Sequence, residues 1–170
     1  MPNIKPYDRT AAVEYAHRWA YHRNPGYLNF DNLGGDCTNY ASQCLLAGAG
    51  VMNYTPTFGW YYRSSADRAP AWTGVPYFFN FLTRKKPGPG PFGEEADISQ
   101  VRPGDFVQLS FTEGTFSHNP VIVTVGSSPA PDNILVAAHS DDSDWRPLST
   151  YPARHIRFLH ILGVDRPEDD

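Results

Sequence analysis

The run Pro87-Gly88-Pro89-Gly90-Pro91 divides this chain into two stretches with different hydrophobic periods, and one class of secondary structure cannot satisfy both. Before it, Ala12, Val13, Ala16, Trp19 and Ala20 recur at three- and four-residue spacing. That predicts a helix from an Asp8 N-cap to about His22, closed by Asn24-Pro25-Gly26. A second helix is expected to begin at Cys37, pass through Tyr40, Ala41, Cys44 and Leu45, and stop at Gly48 and Gly50. Thr73 is expected to cap a third, with Pro76 in its first turn and Tyr77, Phe78, Phe81 and Leu82 buried. Residues 51–72 are aromatic and turn-rich without a sustained period, and read as a surface excursion. The proline run itself reads as a rigid connector. After it, residues 105–111, 119–125, 133–139 and 155–162 are β-branched and aromatic runs between turn signals. Helices first and strands second predict an α+β domain, with N-terminal helices packed on a C-terminal antiparallel sheet. A single domain is expected over 1–170, with a core of about 7–162 and a charged, frayed tail at 163–170.

Charge excludes some partners. The formal net charge is -4, and basic residues are scattered apart from Arg84-Lys85-Lys86, so a polyanion such as nucleic acid is not expected. The N-terminus lacks the apolar run of a signal peptide, and no stretch has the roughly 18 apolar residues of a membrane span. The expectation is a soluble chain with no membrane partner, cytoplasmic as it stands, with action at the cell envelope left open. Cys37 and Cys44 on one helix would be about 10.5 Å apart, beyond the ~6.8 Å a disulfide spans, so a free thiol is expected.

That thiol sits in Gly34-Gly35-Asp36-Cys37-Thr38-Asn39-Tyr40, where glycines give way to a helix. Unpaired N–H groups and the dipole of a first helical turn favour a thiolate there and could hold an oxyanion. His118, in Phe116-Ser117-His118-Asn119-Pro120, stands at the start of a predicted strand and is the candidate base. His139 closes the next strand at the same end of the sheet, and is the candidate to orient His118, with Asp141 and Asp142 as competitors. Asp36, Asn32 and Asp142 are candidate supports of the oxyanion and the site. Trp60, Tyr61 and Trp72 are candidate walls of a substrate cleft, although aromatics in such a stretch more often form core. Asp141, Asp142 and Asp144 lack the pattern of a calcium loop and read as a solvated turn. No partner is evident for His17, His22, His155 or His160.

Several stretches in order carry a resemblance. They are 11–16, the nucleophile motif 34–43, Tyr54-Thr55-Pro56-Thr57-Phe58-Gly59-Trp60, Gly88-Pro89-Gly90-Pro91, Val136-Ala137-Ala138-His139-Ser140 and Arg146-Pro147-Leu148-Ser149. On these the chain, over about residues 7–162, resembles the bacterial putative amidase domain family, related to the NlpC/P60 and CHAP amidases of the papain-like superfamily. Arg102-Pro103-Gly104-Asp105-Phe106-Val107 is similar to the turn that opens the NlpC/P60 sheet. The resemblance implies a papain-like fold and a cysteine amidase or peptidase, with a histidine or other polar third residue on the strand after the base. It implies a peptide or amide substrate, including peptidoglycan stem peptides, and no cofactor. Thr38-Asn39 replaces the usual Ser-Gly of NlpC/P60 domains, and Asp31 stands where papain has an oxyanion-binding glutamine, so backbone N–H at Cys37, helped by Asn32, is expected to serve instead.

Two other classes fit the same residue types. Cys37, His118 and His139 could ligate zinc, and the aromatic stretch could make a non-catalytic glycan- or peptide-binding module.

Overall fold

The computed structural model describes residues 2–167. A two-residue strand, β1 (Ile4–Lys5), leads into α1 (Arg9–Trp19), where the Asp8 side chain accepts from the Ala11 N–H at 3.0 Å. This helix ends earlier than its periodicity suggests, because the chain tightens into a turn in which the His22 N–H donates to the Trp19 carbonyl. α2 (Cys37–Ala49) begins at the cysteine and stops at Gly50 in the left-handed conformation, where φ is 76°. Both helix starts follow their sequence signals.

The segment expected to be irregular contains β2 (Tyr62–Ser64) paired with β3 (Asp67–Arg68), then a single turn of helix, α3 (Pro70–Thr73). α4 (Val75–Leu82) starts one residue later than expected, with Gly74 rather than Thr73 as N-cap, because Thr73 is already the last residue of α3.

The proline run is more than a connector. Its last two residues open β4 (Gly90–Ala96), which pairs along β9, and Arg84 holds the turn by donating to the carbonyls of Phe81, Gly88 and Pro91. A proline in an edge strand sacrifices no ladder bond that the sheet needs, which is why this strand hides among turn residues. At the bulge after Phe92 a Cβ on Gly93 would stand 2.4 Å from the His160 carbonyl oxygen, so only glycine lets the two strands close.

β5 (Phe106–Ser110), β6 (Val121–Val125), β7 (Ile134–Ala138), β8 (Ser143–Pro147) and β9 (His155–Asp165) complete a curled seven-stranded antiparallel sheet. Its order is β1-β9-β5-β6-β7-β8, with β4 also on β9. β9 takes in the first residues of the expected tail, so fraying does not begin at Asp165, which is buried at the strand's end; 168–170 lie outside the described residues.

Alternation along the strands divides the apolar residues between two faces. Phe106, Val121, Val123 and Ala137 join Ala12, Ala16, Tyr40, Leu45, Trp60 and Trp72 in the core under the helices. Val107, Leu109, Ile122, Ile134 and Val136 pack on Leu148 on the other side. Both faces are covered, so these strands read as continuous apolar runs. Among the described residues no helix is long and apolar enough to cross a membrane.

Candidate active site

α2 delivers Cys37 at its first turn. The residue before it, Asp36, has a buried carboxylate that would ordinarily cap such a helix, yet it makes no capping bond. Its oxygens instead accept from the Phe30 N–H at 2.9 Å, the Asn39 side-chain amide at 2.9 Å and His139 Nδ1 at 2.6 Å. The opening N–H groups of α2 thereby receive no cap from the Asp36 side chain. Gly34 and Gly35, with φ of 97° and 105°, carry the chain into this turn through conformations that a side chain would strain.

The sheet delivers His118. It lies just before β6, held on β5 by reciprocal bonds: the Leu109 N–H donates to its carbonyl at 3.0 Å and its own N–H donates to the Leu109 carbonyl at 3.3 Å. Cys37 Sγ sits 3.9 Å from the Ser117 carbonyl oxygen and 3.7 Å from Thr38 Oγ1. Cys37, Ser117 and His118 line one cavity of about 400 Å³, together with Gly34, Gly35, Phe111, Ser140, Asp141, Arg146, Tyr151 and Pro152. Among the described residues the thiol and imidazole share this cleft without a hydrogen bond between them.

Burial sets the resting charge of both groups. It pushes the Cys37 thiol above its ordinary value, against the opposing pull of the Thr38 hydroxyl and the N–H groups of Asn119 and Thr38. It also brings His118 down to about 4, helped by the positive charge of Arg146 and opposed by Asp141. Against the expected resting thiolate, burial favours the neutral form of both the thiol and the imidazole.

Residues 6–162 match the model of the family described as "Putative amidase domain". The chain belongs to that family. The amidase domain is also 33% identical over 165 residues to the uncharacterized protein YhbB of Bacillus subtilis (strain 168), an alignment covering 92% of this chain and 50% of that protein. The chain thus spans about half the length of the curated relative it matches. No solved structure matches it.

Within the amidase domain the other predicted residues fall into place or out of it. His139 does not turn toward His118. It follows Ala137 onto the helix side of the sheet, stacks on Tyr40 with ring centroids 4.1 Å apart, and places Nε2 2.8 Å from the Trp19 carbonyl and 3.1 Å from Arg23. Both ring nitrogens are engaged away from the cleft, so the expected His118–His139 contact is replaced by His139–Asp36. Asp142 forms a two-pronged pair with Arg23 at 2.9 Å and 2.9 Å, and Asp31 binds the same guanidinium. Asn32 is exposed on the turn and does not line the cavity. Asp141, the alternative considered with Asp142, does.

The aromatic candidates belong to the core. Trp60 and Trp72 are fully buried with ring centroids 4.9 Å apart, and their Nε1–H groups donate to Ser42 Oγ and Asn39 Oδ1 on α2, at 3.0 Å each. Tyr61 is buried too, with its ring against Tyr54, centroids 5.7 Å apart. Wrapping the tryptophan rings around α2 satisfies their polar edges, which a solvent-facing cleft would leave to water. The zinc set does not converge either, since His139 lies outside the cleft; among the described residues no group of three or more His, Cys, Asp or Glu could hold a metal ion. Of the histidines without an expected partner, His17 meets Asp144 at 2.8 Å and His160 meets Asp105 at 2.8 Å.

Sequence reasoning missed Arg146, Tyr151 and Phe111 as cleft residues. A signal existed for the first, which begins one of the stretches shared with the family, but its place depends on β8 pairing with β7 through Val136 and Arg146.

Proposed function

We propose that this domain is a cysteine-dependent amidase or peptidase of papain-like type. The observation that carries the reading is Cys37 at an uncapped helix N-terminus, opening into the cavity that His118 also lines. A neutral imidazole is the correct form for a base: it takes the Cys37 proton as sulfur attacks the amide carbonyl, forming the S–C bond and an oxyanion. Backbone N–H groups at the head of α2 would stabilise that oxyanion. His118 then returns the proton to the leaving nitrogen as the C–N bond breaks. Water, deprotonated by the same imidazole, cleaves the thioester to release the acid and restore the thiol.

His139 and Asp36 serve here as positioning residues, bracing the turn that presents Cys37. Family kinship with NlpC/P60 and CHAP enzymes, and peptide amides of the cell wall as substrates, belong to this proposal through the shared sequence stretches. The test is turnover of a short-peptide amide library with acyl-enzyme trapping by mass spectrometry. Wild type is expected to show a thioester adduct, with turnover lost at least ~1000-fold in Cys37→Ser and His118→Ala. Turnover that survives in Cys37→Ser would end the cysteine mechanism.

A further inference from the structure

Arg146 lines the same cavity as Cys37 and His118, and it is the one lysine or arginine among that cavity's lining residues. Its guanidinium is held in place before any ligand arrives. Nε donates to Thr150 Oγ1 at 2.7 Å, one terminal nitrogen reaches the Thr150 carbonyl at 3.3 Å, and the plane lies 3.6 Å over the Tyr151 ring. Among the described residues the ion pair made by the remaining terminal nitrogen is with Asp141, at 3.4 Å, and the Asp141 side chain is 93% exposed. A pair that long to so exposed a partner is worth little. The cleft therefore holds a rigid cation whose charge is weakly compensated, beside a nucleophile that acts on carbonyl carbon.

We propose that Arg146 is a specificity residue that recognises a free carboxylate on the substrate, so that the amides cleaved are those flanked by a carboxylate group. The inference rests on the cysteine-amidase reading for its substrate but not for its test. A planar guanidinium presents paired donors that match a carboxylate, and stacking on Tyr151 limits the entropy lost on binding. Asp141 acts as the placeholder that a substrate carboxylate displaces into solvent. The same contact would cancel the positive charge that weakens His118, so a correctly bound substrate would also strengthen the base.

Iodoacetate and iodoacetamide differ at one end, carboxylate against carboxamide, and both alkylate a thiol by displacing iodide. Their rates at Cys37, each divided by the rate with a small free thiol, report whether the cleft prefers an anion. Wild type is expected to favour iodoacetate, with a rate that saturates as reagent is raised. Arg146→Gln is expected to lower the iodoacetate preference roughly tenfold while iodoacetamide labelling changes far less. Asp141→Asn, a change at an exposed side chain, is expected to raise the preference. Equal normalised ratios in wild type and Arg146→Gln, or no rise in Asp141→Asn, would overturn the proposal. Labelling needs no turnover, so a chain that shows the preference but cleaves no amide would overturn only the catalytic reading.

Discussion

Asp36 precedes Cys37 and yet does not cap its helix, because three other donors claim its oxygens. A buried carboxylate with three partners is expensive to remove, since the Phe30 N–H, the Asn39 amide and His139 would each lose an acceptor. Asp36→Ala is expected to lower stability by about 3–5 kcal/mol in chemical denaturation. His118 makes a different residue-scale prediction. Its folded pKa of about 4 lies below its ordinary value of 6.5, so between these values the unfolded chain binds more protons. Its contribution to stability is complete above 6.5 and is lost as pH falls through 4. The urea midpoint of wild type is expected to drop between pH 7 and 4.5 by more than that of His118→Gln, and equal drops would show that the imidazole is not held neutral by the fold. The cysteine follows the same logic: labelling of Cys37 by iodoacetamide is expected to climb only above the ordinary thiol range, with no plateau near neutrality.

At the scale of elements, the site is where the start of a helix meets the start of a strand. The approach to α2 passes through Gly34 and Gly35, whose positive φ would strain any side chain although a Cβ added at either would meet no atom within 4 Å. Gly35→Ala is therefore expected to cost about 1–3 kcal/mol through backbone strain rather than collision, and to displace Cys37. Near-native circular dichroism with impaired Cys37-dependent turnover would be the expected pair of readings. β8 is the other decisive element. It reads as an acidic turn, yet it pairs with β7 and carries Arg146 into the cleft, while Asp144 is taken up by His17 and Asp142 by Arg23.

For the whole molecule, the aromatics of the segment before the third helix decide whether the domain is a binding module or a packed scaffold. Trp60, Trp72 and Phe78 are buried around α2 and α4, so Trp72→Ala is expected to unfold or destabilise the chain by roughly 3–5 kcal/mol. A stable Trp72→Ala variant that merely lost ligand affinity would restore the cleft role. Helices α1 and α2, the strands β5, β6, β7 and β9, and the placement of Cys37 and His118 at element starts were legible in the sequence, because periodicity and turn residues are local signals. β1, β4 and β8 were not. β1 and β4 take their hydrogen bonds from β9 far along the chain, and Pro91 masks the second, whereas β8 pairs with its neighbour β7 but is masked by its acidic residues. The direction in which His139 faces was equally hidden, since one step along a strand exchanges core for cleft. Local chemistry by itself determined which residues begin each element and could react. Tertiary structure alone decided which of them share a cavity, and so which charges are favoured there, because burial and field depend on neighbours far away in the chain.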